Sequence, residues 1–193
     1  AAEGIANDAL AVWRKVTREK GVALFIHYSG VYDTTALKQH PDWARIDAAG
    51  NRDPNNTSTF GPYVDELLIP QLVEACTKYD LDGVWVDGDC WSAQLDYSPA
   101  ALAAWKQETG RDTAPANGDD PDWLEWKMFQ RRQFERYLNH WAAGLRNARP
   151  DIDIASNWAY STMFPFPPSA SVDFLSGDYP ALDSADRARV EAR

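Results

Sequence analysis

Four short β-type runs are spread along the chain with helical patterns between them, and this alternation restricts the fold more than any other feature. The runs are Val22–Ser29 (VALFIHYS), Gly83–Asp87 (GVWVD), Ile152–Asn157 (IDIASN) and Val172–Ser176 (VDFLS). Turn or breaker residues such as Gly21, Asp80–Gly83 and Arg149-Pro150 precede them. Between the first two runs, Leu67, Leu68, Leu72, Val73 and Cys76 have the spacing of one helix face, predicting a helix over Tyr63–Tyr79. Pro62 suits its N-terminal turn, and Pro70 should kink it or move its start. Ser98 and Pro99 open a short helix over Ser98–Thr109, which Gly110 stops. Trp123–Arg149 reads as a long amphipathic helix with Met128, Phe129, Phe134, Leu138, Trp141 and Leu145 on its apolar side. Strands alternating with helices imply βαβ units and a parallel sheet. A doubly wound sheet and a section of a (β/α)8 barrel both fit. A complete barrel takes roughly 250 residues. With 193 residues and four visible strands, about half a barrel is the expectation.

The start, AAEGIANDALAVWRK, reads as the middle of an amphipathic helix with Ile5, Leu10 and Trp13 on one side, and it lacks the pattern of a signal peptide. The chain stops inside the charged run Asp183–Arg193. Both ends read as cut, which predicts one partial catalytic domain over 1–193, internal to a longer parent. Half a barrel leaves two sheet edges and an apolar face uncovered, which exposes it to self-association. Acidic residues outnumber basic ones 29 to 19, for a net charge of -10. Such a field repels phosphate backbones and anionic lipid, which argues against nucleic acid or a membrane as partner. No apolar run approaches the roughly 20 residues that span a bilayer. The two cysteines, Cys76 and Cys90, form no zinc or disulfide pattern and read as buried thiols.

In α/β folds of this kind, functional side chains sit where strands end and βα loops begin. The first run ends in His27, Tyr28 and Ser29, the second in Asp87, Gly88, Asp89, Cys90 and Trp91. The third ends in Ser156, Asn157 and Trp158, then Tyr160; the fourth in Ser176, Gly177, Asp178 and Tyr179. Period-2 alternation sets Val84 and Val86 on one face of the second run, and Trp85, Asp87 and Asp89 on the other. A partly desolvated Asp87 there can act as nucleophile or base; the structural alternative is a cap on the following turn. Asp178 is a candidate second carboxylate, or an Asx-type turn before Pro180. Asp82 and Asp173 start their strands and read as structural. The loop from Gly30 to Pro62 is long, contains the turn Asp47–Asn51, and places His40 and Trp43 as further candidates.

Nine Trp, eight Tyr and seven Phe supply faces that stack on sugars and flat ligands. The helical ones, Trp13, Trp105, Trp126 and Trp141, read as packing. Trp43, Trp91, Trp158 and Tyr160 lie in loops, where their faces are open to sugars or flat ligands, and His27 can donate to a substrate hydroxyl. His27 is also open to a core role, and His140 reads as structural. The histidines form no HxH or HExxH, and GxSxG, P-loop and GxGxxG motifs are absent from the sequence.

The runs HPDWARIDAAGN, PYVDELLIPQLVEACTKYDLDGVWVDGDCW, SNWAY and VDFLSGDY together resemble the glycoside-hydrolase-like barrel proteins of the alpha-L-fucosidase-like type. The likeness spans about Gly21 to Tyr179. It implies a (β/α)8 TIM barrel, of which this chain covers roughly helix 2 to strand 6. Alpha-L-fucosidases carry a nucleophilic Asp at the end of the barrel's fourth strand in a Trp-x-Asp context, so that role maps onto Asp87 in Trp85-Val86-Asp87. The acid/base is not fixed by motif; Asp89, Asp178 or a residue beyond the chain would serve. The resemblance further implies a carbohydrate substrate, no cofactor, and a secreted or periplasmic parent; Trp43, Trp91, Trp158 and Tyr160 would then form the sugar platform, with His27, Tyr28 and Asn157 bonding hydroxyls. Two readings stand beside it: a non-catalytic carbohydrate-binding barrel or pseudoenzyme, and a metal-dependent hydrolase using His27, Asp87 and Asp89.

Overall fold

The computed structural model describes residues 7–87, 94–157 and 170–176. Helix α1, Ala9–Lys20, is capped at its start by Asp8, whose carboxylate accepts from the Ala11 N–H. It therefore begins later than the sequence pattern suggests, and Ile5 lies outside the described residues. Strand β1, Phe25–Tyr28, is followed by the short helix α2, Thr34–Gln39, and a 3-10 turn at Pro41–Trp43. Strands β2, Ala44–Ile46, and β3, Arg52–Thr57, form an antiparallel hairpin. A π-helical turn, Val64–Leu68, leads into α3, Ile69–Tyr79, and then β4, Gly83–Val86. Helices α4, Pro99–Thr109, and α5, Trp123–Ala148, precede β5, Asp153–Asn157, and β6, Phe174–Ser176.

Strands β1, β4, β5 and β6 make one parallel sheet in that order. Its register aligns His27, Trp85, Ala155 and Phe174 in one row, and Tyr28, Val86 and Ser156 in the next. Parallel neighbours need long crossovers. The hairpin and α3 lie in the first crossover, α4 and α5 in the second. This is the mixed α/β architecture with a parallel sheet that the alternation predicts.

Pro70 behaves as its chemistry requires. It cannot supply an N–H inside a helix, and the α-helical pattern restarts with it in the first turn of α3, after the π-helical turn. Ser98 caps α4 through its hydroxyl, and Pro99 occupies the first turn. One face of the sheet is covered: Val84, Val86 and Ile154 are fully buried with Leu68, Leu72, Cys76, Leu138, Trp141 and Leu145 in a single core. Burial raises the Cys76 thiol to about 11. A second, aromatic core joins α4 to the start of α5 through Trp105, Trp126 and Phe129. Trp13 departs from expectation. It is 57 % exposed on a helix that buries none of its residues, with Arg14 paired to Asp82 and Arg18 to Asp80.

The hairpin is the element that sequence reading missed, since Arg52–Thr57 (RDPNNT) carries none of the β-branched alternation of a strand except its last residue. Polar contacts hold it instead. Burial raises the Asp53 carboxyl, but Arg45, the N–H groups of Asn55 and Asn56, and the Asn56 amide outweigh that and bring it to about 2. Because the folded value lies below the unfolded 3.8, Asp53 stabilises the fold fully above pH 4. That contribution, about 2 kcal/mol, is lost as pH falls from ~4 to ~2. Urea unfolding across this window should show the loss, and Asp53→Asn should flatten that part of the profile. An unchanged acid limb in the variant would contradict it.

Candidate functional site

The face of the sheet opposite this core carries a row of aromatic and polar side chains, which alternation sets against the core-facing valines. Phe25 lies over Gly83, where any Cβ would meet its ring at 2.0 Å, and its ring centroid is 5.9 Å from that of Phe174. His27 and Trp85 are side by side in the register, with ring centroids 4.9 Å apart and planes tilted by 37°. Asp87 follows directly on β4, and its N–H donates to the Tyr28 carbonyl at 3.0 Å. The backbone bond carries the ladder one residue past the strand, so the carboxylate emerges at the carboxyl end of the sheet.

Two side chains from neighbouring strands face that carboxylate. Asn157, at the end of β5, donates its amide N–H to Asp87 Oδ1 at 3.2 Å. His27, in β1, places Nε2 3.5 Å from Oδ2. The Asp87 side chain is 16 % exposed, and that of His27 is 57 % exposed. Asp87 is thus oriented from both sides, and the imidazole offers its accessible edge beside it. Such an arrangement can hold an anion in one rotamer, stabilise developing positive charge, or deliver a carboxylate oxygen to an electrophilic carbon.

Gly30 sets the approach of the β1 loop to this acid. It has φ +62°, and a Cβ there would sit 2.8 Å from the Asp87 carbonyl oxygen. Gly30→Ala therefore combines left-handed backbone strain with a main-chain clash, and is expected to cost about 1–3 kcal/mol. Its urea midpoint should fall accordingly; an unaltered midpoint would show that the loop relaxes freely.

The remaining candidates divide. Trp43 is only 4 % exposed, stacked on His40 at 3.8 Å and set edge-on to Tyr63, so it packs the core and offers no sugar face. His40 is bound into the same stack. Tyr28 points to the helix side, where its hydroxyl donates to Gln71 at 2.8 Å, and this removes it from the row containing His27 and Asp87. The Asn157 amide is turned to Asp87, a positioning contact that the sequence does not reveal. Asp173 accepts from the Ile154 N–H and from Arg146, a structural role. Burial raises its carboxyl, but these contacts prevail and hold it below the usual range. His140 pairs with Asp65 at 2.7 Å on the surface. Asp89, Trp91, Trp158, Tyr160 and Asp178 lie outside the described residues, as does Cys90. Trp85, absent from the expected sugar contacts, lines the same face, and the alternation that placed Asp87 was the signal for it. Among the described residues, no three His, Cys, Asp or Glu side chains are grouped to hold a metal ion, and no helix is long and apolar enough to cross a membrane.

Parallel strands present an oriented carboxylate and aromatic side chains toward their carboxyl ends, and the protein is of the mixed α/β class with a parallel sheet. Residues 31–165 match the family described as Glycosyl hydrolase-like 10, and the chain belongs to that family. The structure is similar to that of the beta-galactosidase from the psychrophilic Marinomonas ef1, with a TM-score of 0.70 and 16 % identity over 92 % of this chain and 34 % of that one. It is also similar to the beta-galactosidase from Bacillus circulans sp. alkalophilus, with a TM-score of 0.66 and 16 % identity over 99 % and 36 %. For the alpha-L-fucosidase isoenzyme 2 from Paenibacillus thiaminolyticus the values are 0.61 and 22 %, over 78 % and 22 %. At these identities the likeness is one of fold. The chain spans between 22 % and 36 % of the length of these three proteins. No curated protein matches it.

Proposed function

We propose that the full-length parent is a glycoside hydrolase of fucosidase-like barrel type, exported from the cytoplasm, with Asp87 as nucleophile or charge stabiliser. The observation that carries this reading is the carboxylate of Asp87 at the mouth of the parallel sheet, flanked by Asn157 and His27. Family membership supports the substrate class, a carbohydrate. Asp87 would attack the anomeric carbon as the leaving oxygen takes a proton from a second acid, Asp89, Asp178 or one beyond the chain. Water, deprotonated by the same residue, would then release the sugar. Asn157 fixes the carboxylate, His27 and Trp85 border the sugar, and Trp91, Trp158 and Tyr160 complete the platform. No cofactor takes part.

The test is a screen of the full-length parent against aryl glycosides, beginning with fucosides and galactosides. Release of the aryl alcohol above the buffer rate is expected for at least one sugar. Saturable sugar binding without turnover of any glycoside would overturn the catalytic reading in favour of a non-catalytic binding barrel.

A further inference from the structure

Away from the sheet face, a cavity of about 20 Å³ lies between the hairpin and the segment entering α4, lined in part by Arg45, Asn56, Gln94 and Asp96. Three buried polar atoms on its lining residues have no hydrogen-bond partner among the described residues: Arg45 Nε, Asn56 Oδ1 and Gln94 Oε1. Two of these groups cannot turn away. Asn56 is 6 % exposed, and its amide N–H donates to Asp53 Oδ2 at 3.0 Å, so flipping it would set an oxygen against a carboxylate. The Arg45 guanidinium is fixed by Asp53 through one terminal nitrogen and by the Leu95 carbonyl, at 3.2 Å, through the other.

Buried polar groups in folded proteins are satisfied by protein or by ordered water. We propose that this cavity is a binding site for a single ordered water molecule. Its size suits one water, which needs roughly 10–15 Å³ by this measure and two to four polar partners. The chemistry selects water over an ion. Two amide oxygens accept, and one guanidinium N–H donates; water alone supplies two O–H donors and a lone pair. A cation would face the charge of Arg45, while the Asp96 carboxylate on the lining is already taken by the Ile46 and Ser98 N–H groups and the Ser58 and Ser98 hydroxyls; an anion would face two carbonyl-type oxygens. The water ties the hairpin to residues 94–96, just ahead of α4.

Gln94→Met tests this, because it keeps length and volume while deleting the acceptor. With the water in place the variant loses a hydrogen bond, and the folded-to-unfolded ratio should fall about fivefold in urea titration. Without it, the variant removes a buried acceptor that nothing satisfies, and the ratio should stay level or rise. The sign of the change decides. A crystal structure of the unaltered chain gives an independent readout: a water within hydrogen-bond distance of all three atoms is expected. A collapsed cavity, an ion or a rotated Gln94 would overturn the proposal.

Discussion

Asp87→Asn in the full-length parent is expected to abolish glycoside cleavage while leaving the fold intact. The amide has the size of the carboxylate, and its oxygen still accepts from Asn157, which donates at 3.2 Å in the native protein. What it loses is the charge and the nucleophilic oxygen. Removing a group that acts only in the transition state lowers kcat by about a thousandfold or more. Steady-state kinetics on the substrate found by the screen would show it, with circular dichroism and urea unfolding as controls for the fold. Turnover within tenfold of wild type would transfer the nucleophile role elsewhere. A retaining pair would set its carboxyls about 5–5.5 Å apart and an inverting pair about 6.5–9.5 Å apart. Product stereochemistry by NMR therefore reports the spacing of Asp87 and its partner.

Trp126→Ala is expected to produce the largest loss of stability. Trp126 is fully buried between Trp105, edge-on at 5.2 Å, and Phe129, stacked at 5.5 Å, with Tyr97 at 5.2 Å. Truncation empties the centre of the second core, and neighbouring rings are too rigid to refill it. Large aromatic deletions of this kind cost about 3–5 kcal/mol. That is a large share of the total stability of a domain, about 5–15 kcal/mol. Urea unfolding of wild type and variant measures it directly. A loss below about 1 kcal/mol would show that α4 and the start of α5 contribute little to the cooperative fold.

Much of this organisation was legible in the residues. Ser98, Pro99 and Gly110 bounded α4 because capping is decided within a few residues. Pro70 moved the start of α3 for the same local reason. GVWVD placed Asp87 opposite the core because a strand alternates with period two, whatever it packs against. The aromatic residues were harder. Trp13 and Trp43 reverse their expected roles: Trp13 is exposed on α1, and Trp43 is buried and stacked on His40. Indole burial depends on what another part of the chain sets across from it. The hairpin was illegible because its stability comes from Asp53, Arg45 and backbone N–H groups, not from side-chain alternation.

The sequence by itself determined the α/β alternation, the helix boundaries set by caps and prolines, and the face from which Asp87 emerges. These follow from short-range sterics and hydrogen bonding, which act within a turn of helix or a pair of strand residues. Tertiary structure alone decided that Asn157 and His27 flank Asp87, that Tyr28 turns to Gln71, and that Arg45, Asn56 and Gln94 meet around one cavity. Those pairings join residues up to 70 positions apart. They are fixed by strand order and register, which the packing of the whole sheet selects and no local pattern encodes.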